Sequence, residues 1–271
     1  MNLRPPDVEV DDYSMSLLDH LKELKKRVVV SVTALAIGFI ICMLFAEEIY
    51  AFLARPMVEA LAEREGGGSM SIIAPLEGVM TWLRVGFFGG LVLAFPVIAH
   101  QMWLFVAPGL HKHERTRVVP LVFCSVLLML LGASFGYYVI FRFGFPFFLS
   151  IMSSGAEANI SLASYLTTSL KLMAGLGICF QLPVIIYFCA RMGFLDARDM
   201  ITKFRYSIVI IFVVSAIMTP PDPMTQVLMA GPLSILYAIS IGVAHVFSTK
   251  DRSLEDDEED AEGDTTPSLS D

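Results

Sequence analysis

Six apolar runs are spaced along the chain: Val28 to Ala46, Val85 to Val106, Val118 to Phe141, Leu166 to Ala190, Tyr206 to Thr219 and Met224 to Phe247. A helix needs about 20 apolar residues to cross a hydrocarbon core about 30 Å thick. Four runs meet that length. The fifth has about 14 residues before Pro220-Pro221, roughly 21 Å of helix at about 1.5 Å per residue, and the sixth is interrupted by Pro232. The pattern predicts an all-α polytopic membrane protein with six transmembrane helices, the fifth and sixth short.

The polar segments divide the rest. Residues 1–27 form an N-terminal segment ending in an amphipathic helix, with Ser16 and Asp19 spaced like a capping box. The apolar run that follows is too long, and its leader too long, for a cleaved secretory signal, so it is read as an uncleaved span. The loop Glu47 to Val79 contains an amphipathic stretch after Pro56 that ends at Gly66-Gly67-Gly68, and a short interfacial helix is expected there. The loop Arg142 to Tyr165 is expected to act as a cap. Residues 28–247 make the six-span domain and 248–271 a tail.

Composition sharpens this picture. The chain is 55% hydrophobic with a mean hydropathy of +0.67, beyond what a soluble domain with a polar surface carries. Its net charge of −8 belongs to the tail, because residues 251–271 hold ten acids against Arg252 alone. Such a run is expected to be disordered and solvated. Fourteen of the nineteen lysines and arginines fall in the N-terminal segment, the second loop, the fourth loop and the tail. By the positive-inside rule those segments, and so both termini, are cytoplasmic. Cys42, Cys124, Cys179 and Cys189 lie in apolar runs without CxxC spacing and read as buried small hydrophobes. The scattered histidines offer no metal site, and no cofactor is expected.

The chain has no Walker lysine loop and no HExxH, so nucleotide hydrolysis and zinc proteolysis lack their minimum parts; Gly132-Ala133-Ser134-Phe135-Gly136 lies inside an apolar run. The distinctive polar pattern lies at the cytoplasmic rim instead. One segment reads His20-Leu21-Lys22-Glu23-Leu24-Lys25-Lys26-Arg27. The other runs from Pro96 through Gln101, Trp103, Phe105, Pro108 and Leu110 to Glu114-Arg115.

The patterns H-L-x-E-L-[KR]-x-R and P-x-x-x-x-Q-x-W-x-F-x-x-P-x-L-x-x-x-E-[RK] resemble those of TatC, the multi-span subunit of the twin-arginine protein translocase. Pro75-Leu76-Glu77, Phe180-Gln181-Leu182-Pro183 and Thr219-Pro220-Pro221-Asp222 extend the resemblance over nearly the whole chain. It implies a concave six-helix cup that binds the twin-arginine signal peptides of folded cargo, with no catalysis of its own, driven by the proton-motive force. It implies arginine capture by Glu23 and Glu114 at the cytoplasmic face, with Phe105, Lys25 and Arg27 beside them. Carboxylates suit the task, since they pair bidentately with guanidinium. The resemblance further implies contact of TatA- and TatB-type single-span subunits at Thr219, Asp222 and Gln226, and several copies per complex in a bacterial inner membrane. No nucleic acid partner is implied.

Plainer roles stand beside each assignment. Glu23 has Arg27 at i,i+4, and Glu114 sits beside Arg115 and Arg117 as solvated loop charge. Phe105 could belong with Trp103 to an interfacial belt, and Thr219 and Asp222 could simply cap helices. Lys25 stands where many relatives have arginine. Gln181 stands where many have an intramembrane glutamate; it can join helices but cannot titrate. The GxxxG spacing at Gly132 and Gly136 is more often internal packing than a dimer interface. The rival function is a small-molecule secondary transporter, which calls for charged or unwound sites at the midplane.

Overall fold

A computed structural model describes residues 17–63, 68–106, 118–151, 158–195, 197–219 and 222–263. Helix α1 (Leu17–Leu44) carries the amphipathic leader straight into the first apolar run. After α2 (Ala46–Ala62) and strand β1 (Gly68–Ser71) comes α3 (Glu77–Val106). Helix α4 (Val118–Phe135) continues through a π-helical turn, Gly136–Phe141, into α5 (Arg142–Ile151). Strand β2 (Ala158–Ser161) leads into α6 (Leu162–Cys179), then α7 (Leu182–Arg191), the short α8 (Ala197–Thr202), α9 (Phe204–Met218) and α10 (Pro223–Gly263).

Among the described residues five helical stretches are long and apolar enough to cross a membrane, and Phe204–Met218 is a shorter apolar helix. The large side chains these helices turn outward, such as Val32, Ile40, Phe87, Phe123 and Ile210, are exposed and apolar, as a lipid-facing surface requires.

The sixth run departs from expectation, because it is not short. Pro232 lies inside α10, and the apolar part spans Pro223–Val246 without a break. Met229, Ala230, Leu233 and Leu236 are buried on either side of the proline, so packing offsets the hydrogen bond that its ring removes. The helix then continues to Gly263 where an unstructured tail is expected, with no glycine or proline between Gly242 and Gly263 to stop it. The fourth run is broken rather than continuous. Pro183 cannot donate to Cys179, and the chain makes a tight turn through Phe180 and Gln181, with the Gln181 amide reaching Ile178 at 2.9 Å. Of the four cysteines expected to be buried, Cys42 is; Cys179 and Cys189 are half-buried, and Cys124 is exposed on the outward side of α4.

Close helix contacts run through glycine. A Cβ on Gly90 would lie 2.6 Å from the Phe39 amide nitrogen, so α1 and α3 meet backbone to backbone at Gly38 and Gly90. A Cβ on Gly132 would meet the Leu176 carbonyl at 2.8 Å. The GxxxG spacing therefore serves packing of α4 on α6.

At the end of the bundle that holds the second half of α2, the two loops are stitched together. β1 and β2 pair in parallel, Gly68 opposite Ala158 and Ser71 opposite Ser161. Pairing of segments so far apart leaves no periodic signal in either, which is why an all-α reading misses it. The buried Glu77 carboxylate binds both loops. One oxygen accepts from the Ile73 and Ala74 amides at 2.7 and 3.0 Å, the other from the Ser161 hydroxyl at 2.6 Å and the Ala163 amide at 2.8 Å. Helix α2 begins well before Pro56 and contains it. The Phe52 carbonyl, deprived of an amide donor by Pro56, accepts instead from the Tyr137 hydroxyl at 2.8 Å.

Candidate functional site

Helix periodicity places His20, Glu23 and Arg27 on one face of α1, and Gln101 and Phe105, four apart, on one face of α3. The same interval, about three turns, separates Gly38 from Arg27 and Gly90 from Gln101. Both helices thus present their motif residues to each other at equal distance from the glycine crossing. The structure joins them twice. Arg27 Nη2 donates to Glu23 Oε1 at 2.8 Å, and Arg27 Nη1 donates to Gln101 Oε1 at 3.1 Å. The rings of His20 and Phe105 stack with centroids 4.6 Å apart at 30°.

Glu23 and Arg27 are both half-buried, and Lys25 is exposed. Glu23 thus makes the i,i+4 pair its spacing allows, worth about 0.3–0.5 kcal/mol on an exposed helix. Phe105 belongs to the cluster rather than to a belt with Trp103, because Trp103 is buried. Its Nε1 donates to Ser125 Oγ at 3.1 Å, and its ring meets Phe188 edge-on at 5.4 Å. Glu114 lies outside the described residues. Gln101 and His20 stand in the motifs without a role read from sequence. Their signal was the i,i+4 step to Phe105 and the i,i+3 step to Glu23.

Gln181 sits in the turn between α6 and α7, where its Nε2 donates to the Ser125 carbonyl of α4 at 2.9 Å and also reaches the Gly177 carbonyl of α6 at 3.5 Å. Ser125, fully buried, therefore ties α4 both to Trp103 of α3 and to Gln181. Thr219, Asp222 and Gln226 all have local partners. The Thr219 hydroxyl donates to the Ser215 carbonyl at 2.8 Å, Asp222 Oδ2 accepts from the Thr225 amide at 2.7 Å as the cap of α10, and Gln226 Nε2 donates to the Phe212 carbonyl of α9 at 3.1 Å.

The cluster brings together one carboxylate, one guanidinium, one amide and two stacked rings, a set able to hydrogen-bond a guanidinium and stack on a planar group. Comparison with known proteins gives one family. The family model described as Sec-independent protein translocase protein (TatC) matches residues 19–232. The Sec-independent protein translocase protein TatC of Magnetococcus marinus is 43% identical over 225 residues, covering 83% of this chain and 82% of that protein. Its counterpart in Escherichia coli K12 is 34% identical over 249 residues, 92% and 95% of the two chains. A crystal structure of the twin arginine translocase receptor TatC superposes with a TM-score of 0.73 at 34% identity, over 83% of this chain and 97% of that one.

Proposed function

The chain belongs to the TatC family of Sec-independent protein translocase proteins, and from that premise we propose that its motif cluster captures the paired arginines of a signal peptide. The protein is a multi-pass membrane subunit and core receptor of the twin-arginine translocase. In the proposed arrangement α9 completes a set of six spans in a concave cup, with both termini cytoplasmic. The acidic tail is solvated on that side.

Glu23 and Glu114 each take one cargo guanidinium, as charge-assisted pairs do best with a carboxylate. Arg27 braces Glu23 against Gln101, Lys25 lies alongside, and the His20–Phe105 stack bears on the residues next to the arginines. The observation that carries this reading is the bond set joining Glu23, Arg27 and Gln101, which unites the two motif segments at one face.

Thr219, Asp222 and Gln226 mark the edge where TatA- and TatB-type single-span subunits dock, several copies assembling around the cargo. Each keeps a local hydrogen bond, so docking there rests on shape and on the polar groups still open. The proton-motive force drives passage. A secondary transporter has less support, since the buried polar side chains among the described residues are hydroxyls, apart from Glu77 at the start of α3.

Photo-crosslinking of a twin-arginine signal peptide to the membrane-inserted protein tests the assignment. Glu23→Ala and Glu114→Ala should each abolish the crosslink while insertion and folding persist. Normal crosslinking in both would overturn it.

A further inference from the structure

We propose that the end of the bundle opposite the motif cluster holds a phospholipid headgroup site, built from Arg55, Glu59, Glu63 and Arg142, that selects a headgroup bearing a phosphate and a primary ammonium. These four side chains, from α2 and the first turn of α5, line one pocket of about 360 Å³. Arg55, Glu59 and Glu63 follow one another at i,i+4 spacing along α2. Arg142 is delivered directly after the π-helical turn Gly136–Phe141, a form of helix frequent at functional sites.

The charges are available. Among the described residues no ion pair or side-chain hydrogen bond engages any of the four, although each sign has a counterpart in the same pocket. The bases are also scarce on this side. Only five of the nineteen basic residues fall on this side by the lysine and arginine count, and one of those, Arg84, is tied to Thr167. Two of the remaining bases meet two carboxylates in one pocket, which offers matched positions for an anion and a cation.

The surroundings fit a lipid rather than a soluble anion. Tyr138 and Phe52, both exposed, flank the pocket as interfacial aromatics do. Phe52 also lines a second cavity of about 350 Å³, walled by residues such as Val85, Leu170 and Met173 and almost wholly apolar. The proposed amphiphile lays its chain on the apolar side of Phe52 and its headgroup among the charges. The arginine forks suit the phosphate, and the glutamates accept from the ammonium. A choline headgroup has no N–H to offer the glutamates, and a phosphoglycerol headgroup has no cation.

This inference needs the membrane-spanning fold but not the signal-peptide reading, which the crosslinking experiment tests separately. The test is native mass spectrometry of the detergent-purified full chain with phosphatidylethanolamine, phosphatidylglycerol or phosphatidylcholine added one at a time. Phosphatidylethanolamine should be retained about tenfold better than the other two, the worth of one charged hydrogen bond. Arg55→Gln with Arg142→Gln should lose retention of all three lipids. Glu59→Gln with Glu63→Gln, on exposed positions, should bring phosphatidylethanolamine down to the level of phosphatidylglycerol. Equal retention of the three lipids by the unsubstituted protein, or retention unchanged by the glutamate pair, would overturn the proposal even if the arginine pair failed to fold.

Discussion

Arg27 and Gln101 lie seventy-four positions apart in sequence, yet Arg27 Nη1 donates to Gln101 Oε1 at 3.1 Å. Because the neighbouring nitrogen holds Glu23 at 2.8 Å, one planar guanidinium fixes a carboxylate of α1 against α3. A lysine ammonium lacks the rigid fork that serves both partners in fixed directions. Arg27→Lys is therefore expected to lower capture of a twin-arginine peptide several-fold, with normal membrane insertion. Gln101→Leu should do the same. The double variant should be no worse than either single one, since residues that act through one bond are not additive. Peptide titrations of the four proteins would check this, and additive losses would contradict the brace.

Ser125 gives a ranking of stability effects. Replacing it with alanine leaves the buried Trp103 Nε1 without its acceptor, a loss of about 1–3 kcal/mol. Gln181→Leu removes a donor from the Ser125 carbonyl, costing only about 0.5–1.5 kcal/mol, the net worth of one hydrogen bond. Thermal unfolding in detergent, followed by tryptophan fluorescence, should place Ser125→Ala clearly below Gln181→Leu.

Proline chemistry supplies a rescue experiment. Tyr137→Phe keeps the ring stacked on Phe52 at 4.3 Å but strips the only donor recorded for the Phe52 carbonyl, at a cost of about 1 kcal/mol. Adding Pro56→Ala gives that carbonyl an amide partner from within its own helix. The double variant should therefore melt above Tyr137→Phe alone. If it melts lower, the hydroxyl does not serve the acceptor that Pro56 leaves open.

The parts of this molecule legible in its sequence are those written at short range. Hydropathy located the apolar runs, residue type offered Asp222 as a cap, and the motifs singled out Glu23, Arg27 and Phe105. The missed parts depend on partners distant in sequence. Pro56 and Pro232 look alike as helix breakers, yet one is answered by Tyr137 and the other by buried neighbours, and no local signal separates them. Gln181 does join helices, as its residue type suggests, through the Ser125 carbonyl, but the break at Pro183 beside it was not legible. Gln101 was visible as a motif residue, but only the crossing at Gly38 and Gly90 gives it Arg27 as a partner.

Helix α9 has 15 residues, about 22 Å at about 1.5 Å per residue, against a hydrocarbon core about 30 Å thick. Such a mismatch thins the bilayer or draws in a neighbouring helix, at fractions of a kcal/mol per Å. Inserting one apolar turn after Ile210 should depress export of twin-arginine cargo while leaving Glu23-dependent peptide crosslinking intact. Undiminished export would remove the mismatch from the mechanism.

Glu77 offers the sharpest contrast between two nearly isosteric side chains. Its two oxygens receive four donors, three of them backbone amides, from the two loops that β1 and β2 bring together. A carboxylate presents lone pairs on both oxygens, whereas glutamine must turn an NH2 toward one pair of donors. Turned one way, the NH2 of Glu77→Gln meets the Ile73 and Ala74 amides; turned the other, it meets the Ala163 amide while the Ser161 hydroxyl rotates to accept, so at least one backbone N–H faces another donor and the variant loses more than a simple hydrogen-bond deletion. Glu77→Ala instead opens a space that water can enter to satisfy the same amides. The expected order of loop attachment is therefore Glu77, then Glu77→Ala, then Glu77→Gln. Cysteines placed by Ser71→Cys and Asn159→Cys, neighbours across the two strands, report it as the rate of disulfide formation. A glutamine variant that crosslinks as fast as the unsubstituted Glu77 protein would show that the charge is not what holds the loops.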